Sequence, residues 1–289
     1  MRQNRRLTAV TGGAVLMLVA ALTAGASAAS ASPARGQVPQ AAAAICTSAT
    51  RPKLAARISR GVEHALAGRS SSVGLTAADP SLGLTCAYHR AWRFDSASAI
   101  KATIISALIY KEHGVSHLTK AQRALAWLMI TQSNNDAATD LWFEVGYSSL
   151  KRFLAAAGMR HTILDYGAWG LSQLTAQDEL KLLQVLTTAG TVLNGASRGY
   201  VLWLMTQVIP SQRWGVPAGA PSDVKVSVKN GWLPDPRTGL WHVNSIGAFR
   251  GTRIGYQIVI LTSGNPTWDY GIDTIEAAAR VINSEIAHA

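Results

Sequence analysis

Along this chain of 289 residues the spacing of apolar residues changes from strand-like to helical and back, and that order restricts the folds open to it. After a helical pattern over 52–67, residues 72–78 and 84–92 alternate as two strands around the turn Asp79-Pro80-Ser81-Leu82-Gly83. Helical spacing then holds over 96–112, from Leu118-Thr119 to about 132, and over 136–145, 148–157, 176–188 and 196–208. Thr119 reads as an N-cap, and Thr175 and Asp178 stand at N-cap and N3 of a later helix. Residues 224–231, 240–249 and 254–263 return to strands joined by Gly, Pro and Asp turns, and 268–286 closes as a helix. Two early and three late strands imply one sheet assembled from both chain ends. The expected fold is α+β: a five-stranded antiparallel sheet packed with helices (about 52–95 and 210–289), plus an all-helical lobe over about 96–209.

Ahead of this domain, Arg2, Arg5 and Arg6 precede apolar residues 13–22, followed by the small residues Ala24-Gly25-Ala26-Ser27-Ala28. That is the pattern of a secretory signal peptide, assigned to 1–32. Arg5-Arg6 also permits a twin-arginine reading, although its neighbours fit that pattern poorly. The apolar run is shorter than the ~20 residues of a spanning helix, and no cysteine lies near the cleavage region to carry a lipid. Residues 33–51 read as a flexible leader and 52–289 as the domain. The mature chain is expected to be secreted, with no membrane span, and to act as a monomer.

Export places Cys46 and Cys86, the only cysteines, in an oxidising compartment. A disulfide between them contributes ~3 kcal/mol in the chain-entropy model; two unpaired core residues are the alternative. A 48% hydrophobic composition excludes disorder. Beyond residue 32 there are 24 basic and 16 acidic residues, a net +8 that suits anionic surroundings such as cell-wall polymer. No basic run with interleaved aromatics points to nucleic acid.

Three short motifs carry chemistry. In Ser98-Ala99-Ile100-Lys101, residues i and i+3 share a helical face, and the first turn offers free N–H groups to a developing oxyanion. Ile104, Ile105 and Leu108 are placed to desolvate Lys101, and burial lowers a lysine pKa toward that of a general base. Ser133-Asn134-Asn135, between two helices, combines a proton-relaying hydroxyl with an amide able to hold a lysine and a substrate carbonyl. An ordinary helix cap is its bland reading. In Lys229-Asn230-Gly231 the lysine adds positive charge near the nucleophile, Gly231 permits close backbone approach, and the N–H of Trp232 is a second oxyanion donor. Each motif alone is weak, and Ser222-Asp223-Val224-Lys225 and Ser263-Gly264-Asn265 match two of them by chance.

In this order, with the first on an early helix and the last on a late strand, the motifs resemble the signature of the class A β-lactamase and penicillin-binding serine-hydrolase superfamily, over about 52–287. The stretch 118–142 is similar to that family's helix–S-x-N–helix segment, and TILD (162–165) and LTAQD (174–178) to the ends of its omega loop. The resemblance implies Ser98 as the acylated nucleophile, Lys101 as base or relay, Ser133 as shuttle to the leaving nitrogen, and Lys229 as electrostatic anchor. Asn135, Asn230, Gly231 and Trp232 are the implied substrate contacts. The implied substrate is a β-lactam or a small D-alanyl-D-alanine-like molecule, and no cofactor or metal is expected. His113 and His117, spaced i, i+4, are interrupted by Gly114.

The chain also departs from that family. Asn134 replaces its usual Asp and Asn230 its usual Thr or Ser, and only 35 positions separate Ser98 from Ser133. The loop YGAWGLSQ contains no carboxylate, where class A enzymes carry the Glu that directs the deacylating water. Acylation is therefore expected to be intact and deacylation slow. Three activities stay open: a β-lactamase-like acyl hydrolase, a D-alanyl-D-alanine carboxypeptidase or transpeptidase, and a binding protein that acylates once. Trp127, Trp142 and Trp203 fall at helical core spacings, whereas Trp214, Trp232 and Trp241 are expected at the site rim. His242 and Asn244 share one face of their strand.

Overall fold

A computed structural model of the protein describes residues 44–252 and 254–289. The assigned signal peptide and the leader up to residue 43 lie outside them. Chain order runs β1 (Cys46–Ser48), α1 (Pro52–Leu66), β2 (Ser72–Asp79), β3 (Leu84–Tyr88), β4 (Arg93–Asp95), α2 (Lys101–Lys111), α3 (Lys120–Thr131), α4 (Asn135–Val145) and α5 (Tyr147–Ala156). It continues with β5 (Gln173–Thr175), α6 (Ala176–Thr187), α7 (Gly195–Thr206), β6 (Lys225–Pro234), β7 (Trp241–Arg250), β8 (Gly255–Asn265) and α8 (Trp268–Ala287).

The sheet is antiparallel in the order β1-β3-β2-β8-β7-β6, so early and late strands meet at the β2–β8 seam. It has six strands rather than the expected five. The extra one is β1, drawn from the segment expected to be leader: Cys46 pairs with Cys86 across β1–β3, and the two form a disulfide. The backbone N–H of Cys46 also donates to Ser59 Oγ on α1. Residues 46–48 are therefore the sheet's edge. β2 and β8 are buried on both faces, because α1 and α8 pack as a pair and α6 also lies against both strands. Burial on both faces leaves them apolar without strict alternation.

Local chemistry sets the helix starts. Thr119 and Gln122 form a reciprocal capping box at α3, and Asn134, Thr175, Asn194 and Thr267 accept N–H bonds at the starts of α4, α6, α7 and α8. α2 is buried over 101–109 at the centre of the helical part. Two expected boundaries shift. The second strand stops at Tyr88, where His89 takes φ +42° and a Trp92 N–H to His89 carbonyl bond closes a turn; Arg93–Asp95 then pairs with Gln173–Thr175 in a separate small sheet. The helix expected from residue 96 begins instead as a 3₁₀ turn, Ala97–Ile100.

Of the three tryptophans expected in the core, only Trp142 is buried. Trp127 and Trp203 stand on the outer faces of α3 and α7 and pack on each other, ring centroids 5.4 Å apart. No described helix is long and apolar enough to cross a membrane.

Glu179 on α6 is fully buried, and neither carboxylate oxygen has a hydrogen-bond partner among the described residues. Burial, reinforced by Asp178, pushes its carboxyl up to about 8 from 4.5. The native state thus holds a proton that the unfolded chain releases above 4.5, so this group's stabilisation is complete below 4.5 and is lost as pH rises to about 8. Chemical denaturation of wild type and Glu179→Gln at pH 5 and pH 8 should show the wild type losing more stability between the two, by ~1.4 kcal/mol per pH unit at most.

Candidate active site

The turn that carries Ser98, the candidate nucleophile, is held from two sides. Asn244 on β7 is buried and donates to the carbonyls of Asp95 (2.8 Å) and Ser96 (3.2 Å). Ser96 Oγ donates to the carbonyls of Trp169 and Gly170, and its N–H to that of Ser172. Between these clamps Ala97 takes φ +44°, a conformation that costs a non-glycine residue ~1–2 kcal/mol and that the surrounding bonds impose. Ser98 follows on the 3₁₀ turn and is half-buried. A 3₁₀ turn has three residues per turn, so Ser98 and Lys101 are aligned more closely than on an α-helix. No hydrogen bond joins them among the described residues.

Lys101 is buried and donates instead to the second motif: to Ser133 carbonyl at 2.6 Å, Asn135 Oδ1 at 2.8 Å and Ser133 Oγ at 3.2 Å. Burial lowers its amine to about 7. Lys229, buried on β6, donates to the same Ser133 Oγ at 3.1 Å and to the carbonyl of Asn230 at 2.8 Å. Its amine is held well below the ordinary lysine value by burial and by the charge of Lys101. Ser133 itself takes φ +57°, which turns its carbonyl and hydroxyl toward the same amine. Asn134 supplies the helix cap, accepting from Ala137 N–H at 2.7 Å. The cap of the bland reading is thus present on Asn134, while Ser133 and Asn135 on either side of it hold Lys101.

The third motif divides by strand alternation. Lys229 and Gly231 face the nucleophile turn, and a Cβ on Gly231 would lie 2.5 Å from Ala99 N and 2.7 Å from Ser98 N. Asn230 points the other way. Its amide is buried and donates to the carbonyls of Gln212 and Trp214, so these bonds occupy a group expected among the substrate contacts. Trp232 follows Gly231 along β6, and its ring joins Trp214 and Trp268, with centroids about 6 Å apart.

Asp178 is occupied at the root of the carboxylate-free loop. Burial opposes its ionisation, but bonds from the N–H of His161, from Lys181 and from the hydroxyl of Thr162 prevail and hold it below the usual carboxylate range. The same loop places the ring of Trp169 4.8 Å from Lys101 Nζ. Sequence reasoning passed over Trp169 and gave Asn244 no role. The first lies in the loop YGAWGLSQ, which contains no carboxylate, and the second bonds to backbone 148 or more residues away. His242 lies with its Nε2 3.5 Å from Asp95 Oδ2, and His117 bonds the carbonyl of Glu112.

A family model described as "Beta-lactamase enzyme family" matches residues 115–286. Among solved structures, a β-lactamase from Streptosporangium roseum is similar at TM-score 0.68 and 19% identity, covering 81% of this chain and 100% of that one. A structure titled PBP-A is similar at TM-score 0.69 and 17% identity (80% and 96% covered). A β-lactamase from Sphaerobacter thermophilus gives 0.68 and 19% (81% and 98%). At these identities the likeness is one of fold. Comparison with curated proteins gives no match.

Because β6 crosses the nucleophile turn with no space for a methyl group, Gly231→Ala should displace Ser98. We expect labelling of Ser98 by a penicillin, followed by intact mass, to slow by ~10²-fold, while the circular dichroism spectrum remains that of the wild type.

Proposed function

Because the chain belongs to the beta-lactamase enzyme family, we propose that it is an exported serine acyl hydrolase that forms an acyl-enzyme on Ser98 and releases it slowly. One observation carries this reading: a single hydroxyl, Ser133 Oγ, lies within hydrogen-bond reach of two buried amines, Lys101 and Lys229, beside the Ser98 turn. In acylation, neutral Lys101 takes the Ser98 proton, directly or through Ser133, and Oγ bonds to the substrate carbonyl carbon. The N–H groups of Ser98 and Trp232 receive the oxyanion. As the C–N bond breaks, Ser133 gives its proton to the leaving nitrogen and is reprotonated from the adjoining amines. Lys229 supplies the positive potential that draws an anionic substrate.

Deacylation repeats the sequence with water and needs a base worth ~10²–10⁴-fold. The stretch 166–172 supplies no carboxylate, so the acyl-enzyme should persist. The same feature favours the second reading, a D-alanyl-D-alanine carboxypeptidase or transpeptidase acting on peptidoglycan stem peptides. The Cys46–Cys86 disulfide supports export into an oxidising compartment.

Intact mass during incubation with penicillin G, beside Ser98→Ala, tests the proposal. The wild type is expected to carry an adduct for hours and the variant none. Ring-opened product without an adduct would instead mean efficient turnover, and D-alanine release from a stem peptide would select the second reading. The active form of Lys101 is the neutral amine, so the acylation rate should climb with pH around a midpoint near 7. A rate that falls across that range would remove Lys101 as the base.

A further inference from the structure

The acylation steps leave Trp169 without a part, yet its indole is fixed over the base. The ring centroid lies 4.8 Å from Lys101 Nζ. Its Nε1–H donates to Thr139 Oγ1 at 3.1 Å, and that hydroxyl in turn donates to the carbonyl of Asn135, whose side chain holds Lys101. Ring and amine are thus registered to one helix, α4. The loop beneath the ring is closed by its own bonds. Asp165 Oδ1 accepts from the N–H groups of Gly167 and Ala168, Trp142 Nε1–H donates to the carbonyl of Tyr166, and Ser96 Oγ holds the carbonyl of Trp169 itself. These bonds fix the loop's backbone, and the bond to Thr139 fixes the indole upon it.

An aromatic face accepts a cation but gives a nucleophilic water no acceptor of carboxylate strength. Hydrolysis of a Ser98 ester requires a water oxygen to bond to the acyl carbon while its proton passes to a base. The carbon–Oγ bond then breaks and Oγ regains a proton. Lys101 is the base that serves acylation, and on Trp169's side water must pass the indole to reach it. We propose that Trp169 is a positioning residue that seals Lys101 from water and so sets the lifetime of the acyl-enzyme. The inference rests on the acyl-enzyme reading above and assigns the slow step to a residue that is present rather than only to a carboxylate that is absent.

The test measures adduct decay by intact mass after a pulse of penicillin G and removal of free drug, in wild type, Trp169→Phe and Trp169→Ala. Phenylalanine keeps an aromatic face over the amine but loses the bond to Thr139, so its adduct should decay at a rate between those of the wild type and Trp169→Ala. Alanine opens the space, and its adduct should decay about tenfold faster or more. The midpoint of acylation against pH should also rise above the wild-type value of about 7 in Trp169→Ala as water reaches the amine. A merely structural role would lower thermal stability and the amount of adduct without changing its lifetime. Should Trp169→Ala fail to fold, Thr139→Val releases the ring while leaving the loop's backbone bonds intact, and should shorten the lifetime in the same direction. Unchanged lifetimes in the folded variants overturn the seal. No adduct on wild type overturns the acyl-enzyme reading itself, and this inference with it.

Discussion

Two lysine amines buried around one hydroxyl are the arrangement on which the rest of this structure depends. Removing an ammonium group from water costs several kcal/mol, and placing two together adds mutual repulsion. The protein offsets this with fixed acceptors: the carbonyl of Ser133, Oδ1 of Asn135 and the carbonyl of Asn230. It also relieves it by lowering both amines, so that Lys101 stands near neutrality. A lysine that loses its proton near pH 7 can accept one from a serine. The cost of burial and the capacity for base catalysis are thus the same physical fact.

The acceptors must not move, and the backbone bears the consequence. Ala97, beside Ser98, and Ser133 both adopt positive φ without being glycine. Ala97 is held by bonds from distant chain, Asn244 of β7 and the 169–172 turn, and Ser133 by its sequence neighbours, the Asn134 N–H to Leu128 carbonyl bond and the Asn134 cap. Gly231 is the complementary device. Lacking a side chain, it lets β6 lie against the nucleophile turn, which brings Lys229 to Ser133 from the opposite wall. The sheet is assembled from both chain ends so that this late strand can meet an early helix.

Family membership coexists here with a divergent loop. The fold likeness to β-lactamases and to PBP-A extends over about four-fifths of the chain at below 20% identity. Asn230 anchors the 212–214 segment, and tryptophans gather at 214, 232 and 268 on that side of β6. With Trp169 over Lys101, the site is more apolar than its charged centre suggests.

Much of this was legible in the chain, for physical reasons. Period and capping are local properties, so helices such as Lys120–Thr131, with its Thr119 cap, and the late strands fell close to their expected bounds. The grouping of Lys101, Ser133 and Lys229 was legible because such side chains at fixed spacing on known elements leave few arrangements. What the sequence by itself determined is the alternation of strand and helix and which candidate groups the fold could bring together. Tertiary structure alone decided which way each group points and what encloses it. Residues 46–48 have no apolar signal strong enough to announce an edge strand; pairing with β3 makes one. Asn230 and Lys229 are neighbours in sequence, and strand alternation sends one to the site and the other to a carbonyl anchor. Trp169 reads as an ordinary loop aromatic until the chain returns to place it over Lys101, because a contact across 68 residues depends on how separate elements pack and not on local spacing.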